Sequence, residues 1–203
     1  MSNHRKTQKA VRRPLQQRSR QSVAAIVEAS AQVLEEWGYK GATTNRIASR
    51  AGVSVGSLYQ YFRDKDEIFD ALIDKESRAY LAAVASEIPR EKIPLDKAIR
   101  RLLEAGYAHH ELVVGIREVI RYTPAEFYEC RLLKVRSELH CLAVRFLQSQ
   151  QPLSEGLDDI DQAAEVIIVL CLGMTLYARV DYAPEQLVEI LAEALGRYLG
   201  VAK

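Results

Sequence analysis

Within TTNRIASRAGVSVGSLYQYF, residues 43–62, hydroxyls, amides and phenols crowd into one short stretch: Thr44, Asn45, Ser57, Tyr59, Gln60 and Tyr61, with Lys65 just beyond. Such groups donate hydrogen bonds to phosphate oxygens, and a glutamine can pair two-pronged with an adenine edge. Val55 and Gly56 contribute smallness instead, because a residue without a large side chain lets the backbone approach a phosphate or a base closely. The chemistry on offer is recognition of a nucleic acid. Bond making is not indicated, since the chain has no phosphate-binding loop of the G-x-x-x-x-G-K-[ST] kind, no G-x-G-x-x-G, no G-x-S-x-G, and no carboxylate pair beside a recognisable nucleophile.

The elements that must hold these groups are two short helices joined by a tight turn. Thr43 and Thr44 offer a hydroxyl cap, Ile47, Ala48 and Ala51 give the first helix an apolar stripe, and Gly52 can end it with a positive φ. Val53 is placed to fill the space between the helices. Ser54 is the natural N-cap of a second helix, VGSLYQYF, whose Leu58 and Phe62 face inward. An earlier helix is expected from about Ser19 or Ser22 to Trp37, with Ile26, Ala29, Val33 and Trp37 on its apolar face and Gly38 as its stop. Asp64 and Glu67 form a capping-box-like pair opening a fourth helix, at whose start Lys65 could offer a phosphate both its ammonium and nearby backbone amides.

In this order, Gly38, Tyr39, Thr43, Thr44, Ile47, Ala48, Ala51, Gly52, Val53, Ser54, Gly56, Ser57, Leu58, Tyr59, Tyr61, Phe62 and Lys65 resemble the pattern of the TetR family of bacterial transcriptional regulators. The resemblance covers about residues 20 to 73. Tyr61 stands where a histidine is common; both types can hydrogen-bond a phosphate. The resemblance implies an all-α fold: an N-terminal three-helix DNA-binding domain with a helix-turn-helix, then a helical ligand-binding and dimerisation domain. It also implies a homodimer on palindromic double-stranded DNA, a small organic effector of unstated class, and repression as the default. No cofactor is expected. Motif position puts Thr44, Asn45, Val55, Ser57 and Gln60 near bases or adjoining backbone, and Gly56, Tyr59, Tyr61 and Lys65 at phosphates.

Charge is divided along the chain in the same sense. The net charge of +1 conceals 12 Lys or Arg against 4 Asp or Glu in residues 1–65, and 16 against 23 in residues 66–203. A polyanion partner for the first part follows, because phosphate neutralisation supplies most non-specific DNA affinity. Residues 1–18 hold Arg5, Lys6, Lys9, Arg12, Arg13 and Arg18 with no acid, and read as a disordered basic arm ahead of a DNA-binding domain at 19–65 and an effector-binding and dimerisation domain at 66–203. No apolar run follows the basic residues as in a secretory signal, so a cytoplasmic location is expected.

Beyond Pro89 and Pro94, helices are expected through about His109, through about Tyr122, and from Pro124 to Gln150. Residues 166–178 are uncharged, too short a run to span a bilayer, so no membrane is expected; a helix apolar on most sides must instead be covered by its own core and by a second chain. With the Pro184 helix, it is read as half of a four-helix dimer interface, about residues 161–181 and 184–199. Effector-pocket candidates of mixed polarity are Tyr107, His110, Arg121, Phe127, Tyr128, Cys141, Met174 and Tyr177. Cys130, Cys141 and Cys171 contain no C-x-x-C pair, and His110-Glu111 is followed at position 114 by Val, which breaks the zinc-protease pattern. The competing reading is a helical dimeric sensor whose helix-turn-helix docks a protein partner.

Overall fold

A computed structural model describes residues 7–108, 119, 122, 125–150, 159–177 and 183–200. Eight helices occur among them: α1 Thr7–Gly41, α2 Thr44–Ala51, α3 Val55–Tyr59, α4 Lys65–Glu87, α5 Leu95–Tyr107, α6 Ala125–Ser149, α7 Ile160–Tyr177 and α8 Pro184–Tyr198. No strand occurs among the described residues, as the absence of period-two alternation predicts. The fold is all-α.

The chain divides into two compact units, Met1–Ile73 with Arg121–Thr123, and Asp74–Ile120 with Pro124–Lys203. The division falls inside α4, later than the 65/66 boundary expected from the sequence. Its cause is the apolar face of the first turns of α4: Ile68, Phe69, Leu72 and Ile73 are all buried. They join Ile26, Val27, Val33 and Leu34 of α1, Ile47 and Ala48 of α2, and Leu58 of α3 among the buried residues of the first unit. Removing each such side chain from water is worth about 1.5–3 kcal/mol, which is what helices as short as α2 and α3 need to stay folded.

Helix α1 departs from expectation at both ends. It begins at Thr7, so the residues expected to form an unstructured arm are helical from there on; Gln, Lys, Arg and Leu in this stretch are good helix formers, and they carry the helix even through Pro14. At the other end Gly38, with φ 62° and ψ 172°, breaks the helical path where a stop is expected. Trp37 is not on the buried face: it is 48% exposed, its ring covered by the Arg46 guanidinium 4.1 Å from the centroid. The face that buries Ile26, Ala29 and Val33 runs out at the Gly38 break, one residue beyond Trp37.

The second unit is built around Ala98, Ile99 and Leu103 of α5, Leu139, Ala143, Phe146 and Leu147 of α6, Ala163, Ala164 and Ile168 of α7, and Leu187, Leu191 and Leu195 of α8. Helix α5 ends at Tyr107 and α6 spans Ala125–Ser149, within two residues of the expected bounds. The helix expected to end near Tyr122 lies almost wholly outside the described residues. On α8 Leu187, Leu191 and Leu195 are buried, whereas Ile190, Ala194 and Tyr198, spaced four apart, form an exposed stripe. Val169 of α7 is 57% exposed. No described helix is long and apolar enough to cross a membrane.

Candidate nucleic-acid interface and cavity

Two hydroxyl caps set the geometry of the helix-turn-helix. Thr43 caps α2, its Oγ1 accepting from the Arg46 N–H at 3.2 Å, and Ser54 caps α3, its Oγ accepting from the Ser57 N–H at 3.0 Å. Between them Gly52 takes φ 67°, ψ 28°, and its N–H turns back to the carbonyls of Ala48 and Ser49. Leu58, fully buried, pins α3 from below. The helix is shorter than the VGSLYQYF expected: it ends at Tyr59, and Gln60 is its cap. Phe62 still reaches the core, and the Phe62 N–H bonds the Leu58 carbonyl at 3.1 Å.

The expected contact residues fall into three groups. Asn45, Gly56 and Gln60 are exposed, and no described residue hydrogen-bonds the side chains of Asn45 or Gln60, which leaves their donors and acceptors for a partner. Thr44 and Tyr59 are linked, their hydroxyls 3.1 Å apart, so the start of α2 and the end of α3 are tied while the Tyr59 ring stays 53% exposed. Ser57 Oγ lies 2.8 Å from Ser54 Oγ, which occupies part of its bonding capacity; Val55 and Tyr61 are half-buried.

Lys65 is neither solvated nor free to swing. Its Nζ donates to the Tyr39 carbonyl at 3.0 Å and stands 4.0 Å from the centroid of the Tyr39 ring. The Tyr39 hydroxyl donates to Asp66 Oδ1 at 2.6 Å, and its ring meets Phe69 at 5.6 Å between centroids. Tyr39 thus fastens the end of α1 to the start of α4, a role the sequence reading missed; the Gly-Tyr pair at the helix break is the signal that marks it. At the same helix start the Glu67 N–H bonds Asp64 Oδ1 at 2.9 Å, and Glu67 Oε2 accepts from the Arg63 N–H at 2.7 Å, one residue earlier than a capping box requires. Arg46 and Arg50 were also passed over: Arg46 bonds the Gly41 carbonyl, and Arg50 pairs with Glu36.

These features meet their counterpart in known proteins. The family model described as bacterial regulatory proteins, tetR family, matches residues 26–72, which hold α2, α3 and the start of α4. Those residues form a TetR-family domain. Members of that family are bacterial regulatory proteins. The transcriptional regulator HbdR of Aromatoleum sp. (strain CIB) is 34% identical over 93 residues, 46% of this chain and 39% of that one. The regulator PksA of Bacillus subtilis (strain 168) is 25% identical over 161 residues, 77% and 78% of the two chains. The matched part therefore spans about two fifths of HbdR but most of PksA. Among solved structures, a regulator from Rhodococcus sp. superposes with a TM-score of 0.68 at 23% identity, over 88% of this chain and 96% of that one. The fatty acid degradation regulator FadR of Bacillus halodurans gives 0.66 at 20% identity, over 86% and 94%. At those identities the likeness is one of fold.

The second unit holds a cavity of about 90 Å³, walled among others by Tyr80, Ile99, Leu103, Tyr107, Phe146 and Cys171. Gly106 admits the Tyr80 ring: a Cβ there would come within 3.3 Å of Tyr80 Cε2. Burial holds the Tyr80 phenol well above its ordinary pKa, with Cys171 and Tyr107 adding to the rise, and burial pushes the Cys171 thiol up to about 12. Both are neutral at ordinary pH. Of the expected pocket residues, Tyr107 is on the wall. Cys141 is not: it is exposed on α6, whereas its neighbours Leu142 and Ala143 face the cavity. His110 and Arg121, and the side chains of Phe127, Tyr128, Met174 and Tyr177, lie outside the described residues. Among the described residues no group of three His, Cys, Asp or Glu could hold a metal ion.

Proposed function

We propose that the protein is a homodimeric, sequence-specific DNA-binding transcriptional regulator of the cytoplasm, a repressor released from a palindromic operator by a small organic effector. The observation that carries the DNA reading is α3: a short helix fixed by the Ser54 cap and buried Leu58, with Gly56, Tyr59 and Gln60 left exposed on it and at its end. In this reading Thr44, Asn45, Val55, Ser57 and Gln60 lie near bases, and Gly56, Tyr59, Tyr61 and Lys65 at phosphates. The exposed Ile190, Ala194 and Tyr198 stripe on α8, with Val169 on α7, supports a dimer through these two helices, since apolar residues four apart on a helix ask for cover. Two copies related by a two-fold axis read half-sites about 34–36 Å apart or a multiple of that.

The cavity supports an effector site, and α4 supports the route from it. Tyr80, on its wall, belongs to the same unbroken helix whose residues 65–73 are part of the first unit. At about 90 Å³ the space is smaller than the roughly 300–1,000 Å³ of ordinary ligand pockets, so an effector of that size enters only by parting the walls, and this strain is what α4 would carry. The deciding experiment is selection of binding sequences from randomised duplex DNA by the full chain at about 0.1–0.2 M salt, where counterion release has already weakened purely electrostatic binders. Enrichment of an inverted repeat is the expected result. Failure to enrich any sequence, with no affinity for DNA even at low salt, would turn the helix-turn-helix into a protein-docking surface.

A further inference from the structure

Tyr122 lies between α5 and α6 in the chain, yet it groups with residues 1–73 in the first compact unit. Its ring is parallel to that of Tyr39 within 10°, with centroids 6.1 Å apart, and is 40% exposed. Lys40 Nζ stands 4.4 Å from the centroid of the Tyr122 ring, the one partner of that ammonium among the described residues. Since Lys65 lies over the Tyr39 ring, two ammonium groups rest on one pair of stacked rings.

We propose that Tyr122 is a positioning residue for DNA binding, its ring fixing Lys40 as a backbone-phosphate contact beside Lys65; the proposal rests on the DNA reading above. Lysine carries a point charge at the end of a flexible stem, and a ring face restrains it without neutralising it, as a carboxylate would. The ammonium keeps its donors and its attraction for an anion. Lys40 also lies in the short stretch between Tyr39, whose carbonyl takes the Lys65 ammonium, and Thr44, whose hydroxyl meets Tyr59 at the end of α3. Both flanking points belong to the proposed interface. Lys40 is exposed, and Gly38 gives the chain the turn that sends Tyr39 inward and leaves Lys40 outside.

The test measures affinity of the full chain for its selected sequence and for an unrelated duplex across a salt series, with Tyr122→Phe, Tyr122→Ala, Lys40→Ala and the double Ala variant. Tyr122→Phe should match the unchanged protein, because the ring face is kept. Both single Ala variants should lose about three- to tenfold on the two duplexes alike, and the slope of log affinity against log salt should shrink by about 0.9, the value of one phosphate contact. The double variant should be no weaker than either single one, since the two residues act through one contact. An unchanged slope in Tyr122→Ala, or additive losses in the double variant, overturns the proposal. Should Tyr122→Ala fail to fold, Lys40→Ala decides alone, as an exposed substitution that leaves the core intact. An unchanged protein with no salt-dependent affinity for either duplex defeats the DNA reading itself, and a wild-type slope with unaltered variants defeats only the role of Tyr122 and Lys40.

Discussion

At position 56 a methyl group would meet nothing closer than the Ser54 hydroxyl, 3.9 Å away, and the backbone there does not have a positive φ. The fold gains nothing from a glycine at this point, and inside a helix glycine is about 0.8–1.0 kcal/mol less favourable than alanine. Gly56→Ala should therefore raise stability by up to about 1 kcal/mol in urea unfolding while weakening DNA binding severalfold; undiminished affinity would mean that no phosphate or base approaches the backbone there. Gln60→Ala should cost about 1–3 kcal/mol on the selected sequence and relax selectivity at one or two base pairs. Equal losses on random DNA would remove its base-reading role. The residue types of this surface were legible in the sequence because hydroxyls, amides and small residues cluster there. Their engagements were not: that Lys65 is committed to the Tyr39 carbonyl, or that Trp37 lies under Arg46, depends on where chain segments meet, and no local pattern encodes it.

Helix starts and stops were the most readable elements, because a cap is a local event. Thr43, Ser54, Asp64, Gly38 and Gly52 all act at the positions that their chemistry implies. Gly52 provides a clean contrast with Gly56. An added Cβ at residue 52 would have no neighbour within 4 Å, yet its φ of +67° is one that an L side chain resists. Gly52→Ala should thus destabilise by about 1–2 kcal/mol through backbone strain alone, seen as a lowered urea midpoint with unchanged slope. Helix lengths were less readable. The extension of α1 back to Thr7 and the early end of α3 at Tyr59 both occur in stretches where propensity permits more than one answer. The cavity was the least readable of all: Tyr80, Gly106 and Cys171 come from three different helices, and each alone looks like ordinary core.

For the whole molecule, the exposed stripe on α8 predicts that Ile190→Glu, alone or with Tyr198→Glu, yields a monomer in sedimentation and a large loss of affinity for a palindrome with a smaller loss for a single half-site. The Cys171 thiol on the cavity wall predicts a pH effect. Below the ordinary thiol value of 9.0, Cys171 is protonated in both folded and unfolded chains; between there and about 12 only the unfolded chain releases the proton. The stability of the second unit should therefore fall as pH rises through that window, and Tyr80, raised in the same sense, steepens the loss at its upper end. Cys171→Ala should flatten the lower part of the curve. A titration that leaves the variant and the unchanged protein parallel would contradict this.

Helix α4 has a further consequence for anyone wishing to take the protein apart. Because its buried Ile68, Phe69, Leu72 and Ile73 belong to the first unit, no loop marks where one piece ends and the other begins. A fragment cut at Lys65, the natural place to stop after the helix-turn-helix, would lose a wall of its own interior and should not hold its shape. One cut after Glu87 would keep that wall but drag along the apolar turns around Leu81, which then have nothing to rest on. A piece able to stand alone must keep the turns of α4 through Ile73, with a solubilising change beyond them.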